Sequence, residues 1–157
     1  MNDLKNIYTV SLFGHRKLYD LYRIDKYLVP ILKKLIQQKP YVSFLIGRNG
    51  EFDEYAASVI KQIQKEFGKD NNDITLVLPY TVSDLEYYIK YYDNIIIPDG
   101  IEGMHPKSAI TMKNRWMIDQ SDLVIVNVEH NQGGAFTAMK YAEKRNRKII
   151  NLYDTEQ

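Results

Sequence analysis

The chain has 157 residues, with 21 Lys and Arg against 20 Asp and Glu, a formal net charge of +1, and no cysteine. Balanced charge supplies no global field toward nucleic acid or a membrane surface, and the lack of cysteine excludes a disulfide framework, thiolate catalysis and zinc ribbons. The length suits one compact domain over 1–157, no stretch approaches the roughly 20 apolar residues of a membrane helix, and no signal-peptide pattern opens the chain, so a cytoplasmic protein without a membrane partner is expected.

The first strand candidate, Ile7–Phe13, runs into SLFGHRKL, where Gly14 permits close backbone approach and His15 and Arg16 follow at once. An amphipathic helix comes next, with Leu21, Ile24, Leu28, Leu32 and Leu35 on one stripe. The second strand, Val42–Ile46, ends in LIGRNGEFDEYAASVI. There Gly47 and Gly50 flank Arg48 and Asn49, and Glu51, Asp53 and Glu54 open a helix striped by Tyr55, Val59, Ile63 and Phe67. Two glycines before a helix N-terminus can cradle an anion, because free backbone N–H groups point at it. Asp53 reads equally as an N-cap satisfying those donors or as an acceptor for ribose hydroxyls.

Ile74–Leu78 is the third strand, followed by a short helix from Asp84 to Tyr92 and a strand at Ile95–Ile97. The tyrosine-rich DLEYYIKYYDN is either a helix with exposed rings or a dimer face, and a homo-oligomer is one expectation. A helix over about 107–120 would pair Ile110 with Met117 and Met112 with Trp116, and it carries Arg115. Arg115, Arg16 and Arg48 are three guanidinium groups of the kind that bind phosphate bidentately, although Arg48 reads better as a solvated surface residue and Trp116 as core. The fifth strand, Leu123–Val128, ends in NVEHNQGGAFTAMKYA. Gly133 and Gly134 stand where a helix begins and Thr137 falls in its first turn, which is phosphate-binding geometry or simply a tight turn. That helix, about 134–145, ends in EKRNRK with Asn146 as a C-cap candidate, and Ile149–Leu152 is the last strand.

Short, wholly apolar strands alternating with amphipathic helices define an α/β fold: Rossmann-like, doubly wound, with a mainly parallel sheet and helices on both faces. Ligands of such sheets lie outside the carboxyl ends of the strands. No GxxxxGK[ST], GxGxxG or GxSxG is present. His15, His105 and His130 lack metal-ligand spacing, and each reads as a hydrogen-bonding loop residue or a catalyst. Neither a metal nor a cofactor is expected.

Four stretches in this order, FGHRKL, GRNGEFDEYAASVI, NRWMIDQSDLVIV and GGAFTAMKYAEKRNRKIINL, resemble the SLOG superfamily. This Rossmann-like group includes the DNA-processing protein DprA and the LOG phosphoribohydrolases, and the likeness is greatest to its YpsA-like branch. The resemblance implies a pocket for a nucleotide or a nucleotide-derived signal, in a superfamily that holds enzymes, DNA-binding proteins and sensors. In the LOG enzymes an Arg and the Glu of PGGxGTxxE cleave an N-glycosidic bond. Arg115 matches the Arg, whereas QGGAFTAMK has Phe136 at a motif glycine and Met139 and Lys140 near the expected acid. Such cleavage needs a carboxylate, and Glu51, Asp53, Glu102 and Glu129 are the acids that could replace it.

The expected function is therefore binding of a nucleotide or other nucleotide-derived phosphorylated ligand at the carboxyl edge of the sheet. Gly14, His15, Arg16, Gly47, Gly50, Glu51, Asp53, Arg115, Gly133, Gly134 and Thr137 are its candidate contacts. The alternative is a nucleoside 5′-monophosphate N-glycosidase with Arg115 on phosphate and Asp53 or Glu51 as acid. A nucleic-acid or protein-interaction module is a second alternative, its nucleic-acid form disfavoured by the balanced charge.

Overall fold

A computed structural model describes residues 6–154. Six strands form one sheet: β1 (Ile7–Gly14), β2 (Tyr41–Ile46), β3 (Asn72–Val77), β4 (Asn94–Ile96), β5 (Leu123–Asn127) and β6 (Lys148–Asn151). Their spatial order is β4-β3-β2-β1-β5-β6, and every pairing is parallel. The chain thus steps outward from β1 to β4, then crosses back to lay β5 and β6 on the other side of β1. The sheet reverses its winding between β1 and β5.

Five helices connect the strands: α1 (Leu21–Gln38), α2 (Glu51–Phe67), α3 (Leu85–Tyr91), α4 (Pro106–Asp119) and α5 (Gly134–Lys144). Right-handed crossovers put helices made during the outward and return windings on opposite faces. Val10 and Leu12 of β1 accordingly pack with Ile24, Leu28 and Leu32 of α1 and Phe52, Ala56 and Ile60 of α2. Phe13, one residue out of phase, packs on the other face with Met117 and Ile118 of α4 and Ala135, Ala138 and Ala142 of α5. Both faces of the central strands are buried, which is why those strands are apolar at nearly every position. Ser11 is the buried exception on β1, and its hydroxyl is satisfied by Ser121 Oγ at 2.6 Å and the Met117 carbonyl at 3.1 Å.

The helix stripes differ from those expected in phase rather than in place. On α1 the buried apolar residues are Ile24, Leu28, Leu32 and Ile36, while Leu21 is 49% exposed. On α2 the stripe runs through Phe52, Ala56, Val59, Ile60 and Ile63, leaving Phe67 exposed and Tyr55 half-buried. Alanine explains the rotation. Ala56, Ala57 and the alanines of α5 carry little hydrophobic signal in a sequence, yet their small side chains let the helices sit close on the sheet. On α4 the buried set is Ala109, Lys113, Met117 and Ile118, so Lys113 occupies a place in the apolar stripe.

Candidate functional site

A cleft of about 490 Å³ opens at the carboxyl edge of the sheet, where β1 and β5 lie side by side and the winding reverses. Three loops and three helices build it, contributing Gly14, His15 and Arg16 at the end of β1, Gly47 and Asn49 after β2, His130 and Gly133 after β5, Lys113 and Asn114 from α4, Asp53 from α2 and Gly134 from α5. At such a switch point neighbouring loops part in opposite directions and leave room for a ligand.

The loops are tied to one another. The Glu51 N–H donates to the Arg16 carbonyl at 2.7 Å, and a Cβ on Gly50 would come within 2.5 Å of Arg16 Cα. Glu51 Oε1 accepts from the Leu18 N–H at 2.7 Å. Gly50 and Glu51 therefore clasp the loop after β1 and do not line the cleft; Glu51 faces a separate shallow groove with Leu18, Leu21 and Tyr55. Gly14 lines the cleft, yet its lack of a side chain has a packing cause, because a Cβ there would sit 2.2 Å from the Phe52 ring. The loop after β5 is held by His15, whose Nε2 accepts from the Glu129 N–H at 3.1 Å. The His15 ring stacks on His130 with centroids 3.7 Å apart and planes 7° from parallel. Accepting at Nε2 requires a neutral ring carrying its proton on Nδ1. Burial, and then the His130 charge, hold the His15 pKa below its usual value.

The floor carries the charge. Lys113 is 2% exposed, and among the described residues no hydrogen bond or ion pair reaches its ammonium group. Burial brings its pKa down from 10.5 to about 8, against the opposing attraction of Asp53, and Arg48 lowers it further. Asp53 stands at the third position of α2, where Oδ2 accepts from the Asn49 N–H at 2.9 Å. Burial raises its pKa above the ordinary carboxylate value, opposed by Lys113 and by that N–H. Gly47 separates the two groups: a Cβ there would lie 2.7 Å from Lys113 Nζ and 3.2 Å from Asp53 Oδ2. Gly47 is thus the residue that leaves room for them. Asp53 is not the N-cap of α2, which is Gly50, although its reach back to Asn49 quiets a donor of the same loop.

Across the cleft Gly133 stands at the N-cap of α5, and its φ of 95° lies in the left-handed region that glycine tolerates. No side chain caps this helix and its first turn holds no acid, so its leading N–H groups remain donors aimed outward. Thr137 turns its hydroxyl back to the Gly133 carbonyl at 3.0 Å.

A second space, a groove of about 650 Å³ between α4 and α5, adjoins the first and shares Arg16, Ile110, Asn114, Gly133 and Gly134 with it. Lys107, Arg115, Lys140 and Lys144 line the groove and no carboxylate does. Arg115 and Thr137 thus belong to this groove, while Gly14, His15, Arg16, Gly47, Asp53, Gly133 and Gly134 line the cleft. Lys113, Asn114 and the lysines of the groove were not anticipated. The signal for Lys113 was present as a cation four residues from Ala109 and from Met117 on one helical face.

The fold defines the chain as a Rossmann-like α/β protein with a cleft at the switch point of its sheet. Solved structures with the same fold include DNA processing protein A from Streptococcus pneumoniae, with a TM-score of 0.67 at 17% identity, covering 94% of this chain and 50% of that one. DNA processing protein A from Helicobacter pylori, characterised for its single-stranded DNA binding mode, gives a TM-score of 0.63 at 15% identity over 93% of this chain and 65% of that one. The chain spans about half to two thirds of the length of these proteins. No protein family and no curated protein matches it by sequence. The shared fold is the one expected from the SLOG resemblance, with a sheet that is wholly rather than mainly parallel.

One expectation is corrected. Nucleic acid was disfavoured as a partner, yet a protein of this fold binds single-stranded DNA. The reason lies in averaging: a net charge of +1 conceals the local run of cations between α4 and α5. Among the described residues no helix is long and apolar enough to cross a membrane, and no cluster of His, Cys, Asp or Glu could hold a metal ion.

Proposed function

We propose that the cleft binds a nucleotide or nucleotide-derived phosphorylated ligand. The observation that carries this reading is Lys113, whose side chain is buried while its ammonium group, without a hydrogen-bond partner among the described residues, faces the floor of an open cleft. Asp53 offsets part of the cost of burying this cation but makes no hydrogen bond to it, and a phosphate supplies further opposite charge and the missing acceptors. Arg16 and the uncapped first turn of α5 reach the same space, while Asp53 offers an acceptor for ribose hydroxyls or a base amine. On its motifs we assign the chain to the YpsA-like branch of the SLOG superfamily. Titration calorimetry with mono-, di- and cyclic nucleotides tests the reading: binding by the native chain, lost in Lys113→Gln, supports it. A folded protein that binds no member of such a panel overturns it.

A second reading, favoured by the basic groove and by the Helicobacter pylori protein, makes the bound nucleotide a unit of single-stranded nucleic acid. Tighter binding of oligonucleotides than of mononucleotides, with a steep salt dependence, distinguishes it. The N-glycosidase alternative narrows to one acid, because of Glu51, Asp53, Glu102 and Glu129 only Asp53 lines the cleft. Release of free base from a nucleoside 5′-monophosphate, abolished in Asp53→Asn, is its test.

A further inference from the structure

We propose that the ligand carries two separated phosphoryl groups, the second seated between α4 and α5 on Lys107 and Arg115. This rests on the nucleotide reading above and specifies its chemical class.

The geometry of α4 motivates it. Ile110 and Asn114, one turn apart, form a ridge that walls both the cleft and the groove. Lys113 lies on the flank facing the sheet, and Lys107, Thr111 and Arg115 on the flank facing α5. A ligand straddling the ridge meets a buried cation on one side and a carboxylate-free groove on the other.

The nearby acids of the groove are already committed. Asp119 accepts from the Tyr141 hydroxyl and from Arg145 Nε, each at 3.0 Å, and Glu143 pairs with Lys140 at 2.8 Å. Among the described residues no carboxylate pairs with Arg16, Lys107, Arg115 or Lys144. The Arg115 guanidinium lies 5.2 Å from the Tyr141 ring centroid, which holds it over the groove. Helical side chains lean toward the N-terminus, so Arg115, one residue past Asn114 and five past Ile110, reaches back along the ridge over at most about 8 Å of the axis.

Gly134 is the independent observation. It lines both spaces, has no positive φ, and a Cβ built on it meets nothing within 4 Å. Neither backbone conformation nor packing within the chain calls for a glycine there. A side chain would project into the passage that joins the two spaces, so the bare backbone serves an occupant of that passage.

Calorimetry with the 5′-monophosphates of the four common nucleosides, their 3′,5′-bisphosphates and the matching 5′-phosphorylated dinucleotides tests the proposal. The second phosphoryl group is expected to tighten binding about tenfold or more, as one charge-assisted contact does. The Lys107→Gln/Arg115→Gln variant is expected to bring the bisphosphate down to the affinity of the monophosphate. Equal affinity of mono- and bisphosphates overturns the proposal and leaves nucleotide binding standing. Absence of binding by every probe overturns both. If the dinucleotide exceeds the bisphosphate, the second phosphoryl belongs to a strand; if it does not, to a free bisphosphorylated nucleotide.

Discussion

Replacing Lys113 by Met tests whether the cleft floor is built for an anion at the expense of stability. The Lys113 pKa lies at about 8 in the folded protein against an ordinary 10.5. At about 1.4 kcal/mol per unit, the burial of its charge costs about 3 kcal/mol at neutral pH. Attraction to Asp53 is already contained in that shift, so it is not lost a second time when the charge is removed. Met preserves length and apolar stem, and the variant should be the more stable protein at pH 7. For a chain of this size, about 3 kcal/mol raises Tm by roughly 6–12 °C. The pH dependence gives the sharper check. Below pH 8 the native chain bears the whole penalty; between 8 and 10.5 the folded state has shed the proton that the unfolded state still holds, and the penalty fades. Chemical denaturation of both proteins from pH 7 to 9.5 should show the gap narrowing by about 2 kcal/mol. A variant less stable than the native chain at pH 7, or a gap that does not narrow, would refute the reasoning.

Two of the glycines at the cleft should respond oppositely to alanine. Gly14→Ala drives a methyl into the Phe52 ring and should destabilise by about 2 kcal/mol or more in denaturant unfolding. Gly134→Ala meets open space at a helix start, should leave stability level or slightly raised, and should weaken nucleotide binding at least tenfold by calorimetry. Phosphate binding against Lys113 should raise its pKa, so that binding at pH 8.5 takes up a proton. Calorimetry in buffers of differing ionisation enthalpy measures this, and affinity should fall as pH rises above about 8. Nitrogen NMR of the imidazole rings should find His15 at pH 7 with its proton on Nδ1 and a pKa below 6.5.

Much of the fold was legible in the chain because parallel strands buried on both faces must be apolar at nearly every position. Val10 through Phe13, Phe44 through Ile46 and Leu123 through Val126 announce themselves on that ground alone. Helix phase was less legible. Tyr55 and Phe67 share the helical spacing of Val59 and Ile63 and are far larger than Ala56, yet only contact with the sheet decides which flank turns inward. The loops after β1, β2 and β5 were identifiable as polar, glycine-marked segments following strands, since the fold class fixes which strand ends face ligands.

Residue roles within those loops depended on distances that the order of residues does not contain. Gly50 and Glu51 share a motif with Asp53, but helical rotation turns Glu51 to the Leu18 N–H and Asp53 into the cleft. Gly14 resembles a ligand-approach glycine until Phe52 is found against it. Lys113 looks like any lysine of an amphipathic helix, and only the packing of α4 beside Gly47 withdraws it from water. The sequence by itself determined the alternation of strands and helices and the edge of the sheet where a ligand belongs, because hydrophobic burial acts through local pattern. The tertiary structure alone decided which charges meet there, because the free energy of an ammonium group depends on burial and on partners brought in from distant parts of the chain.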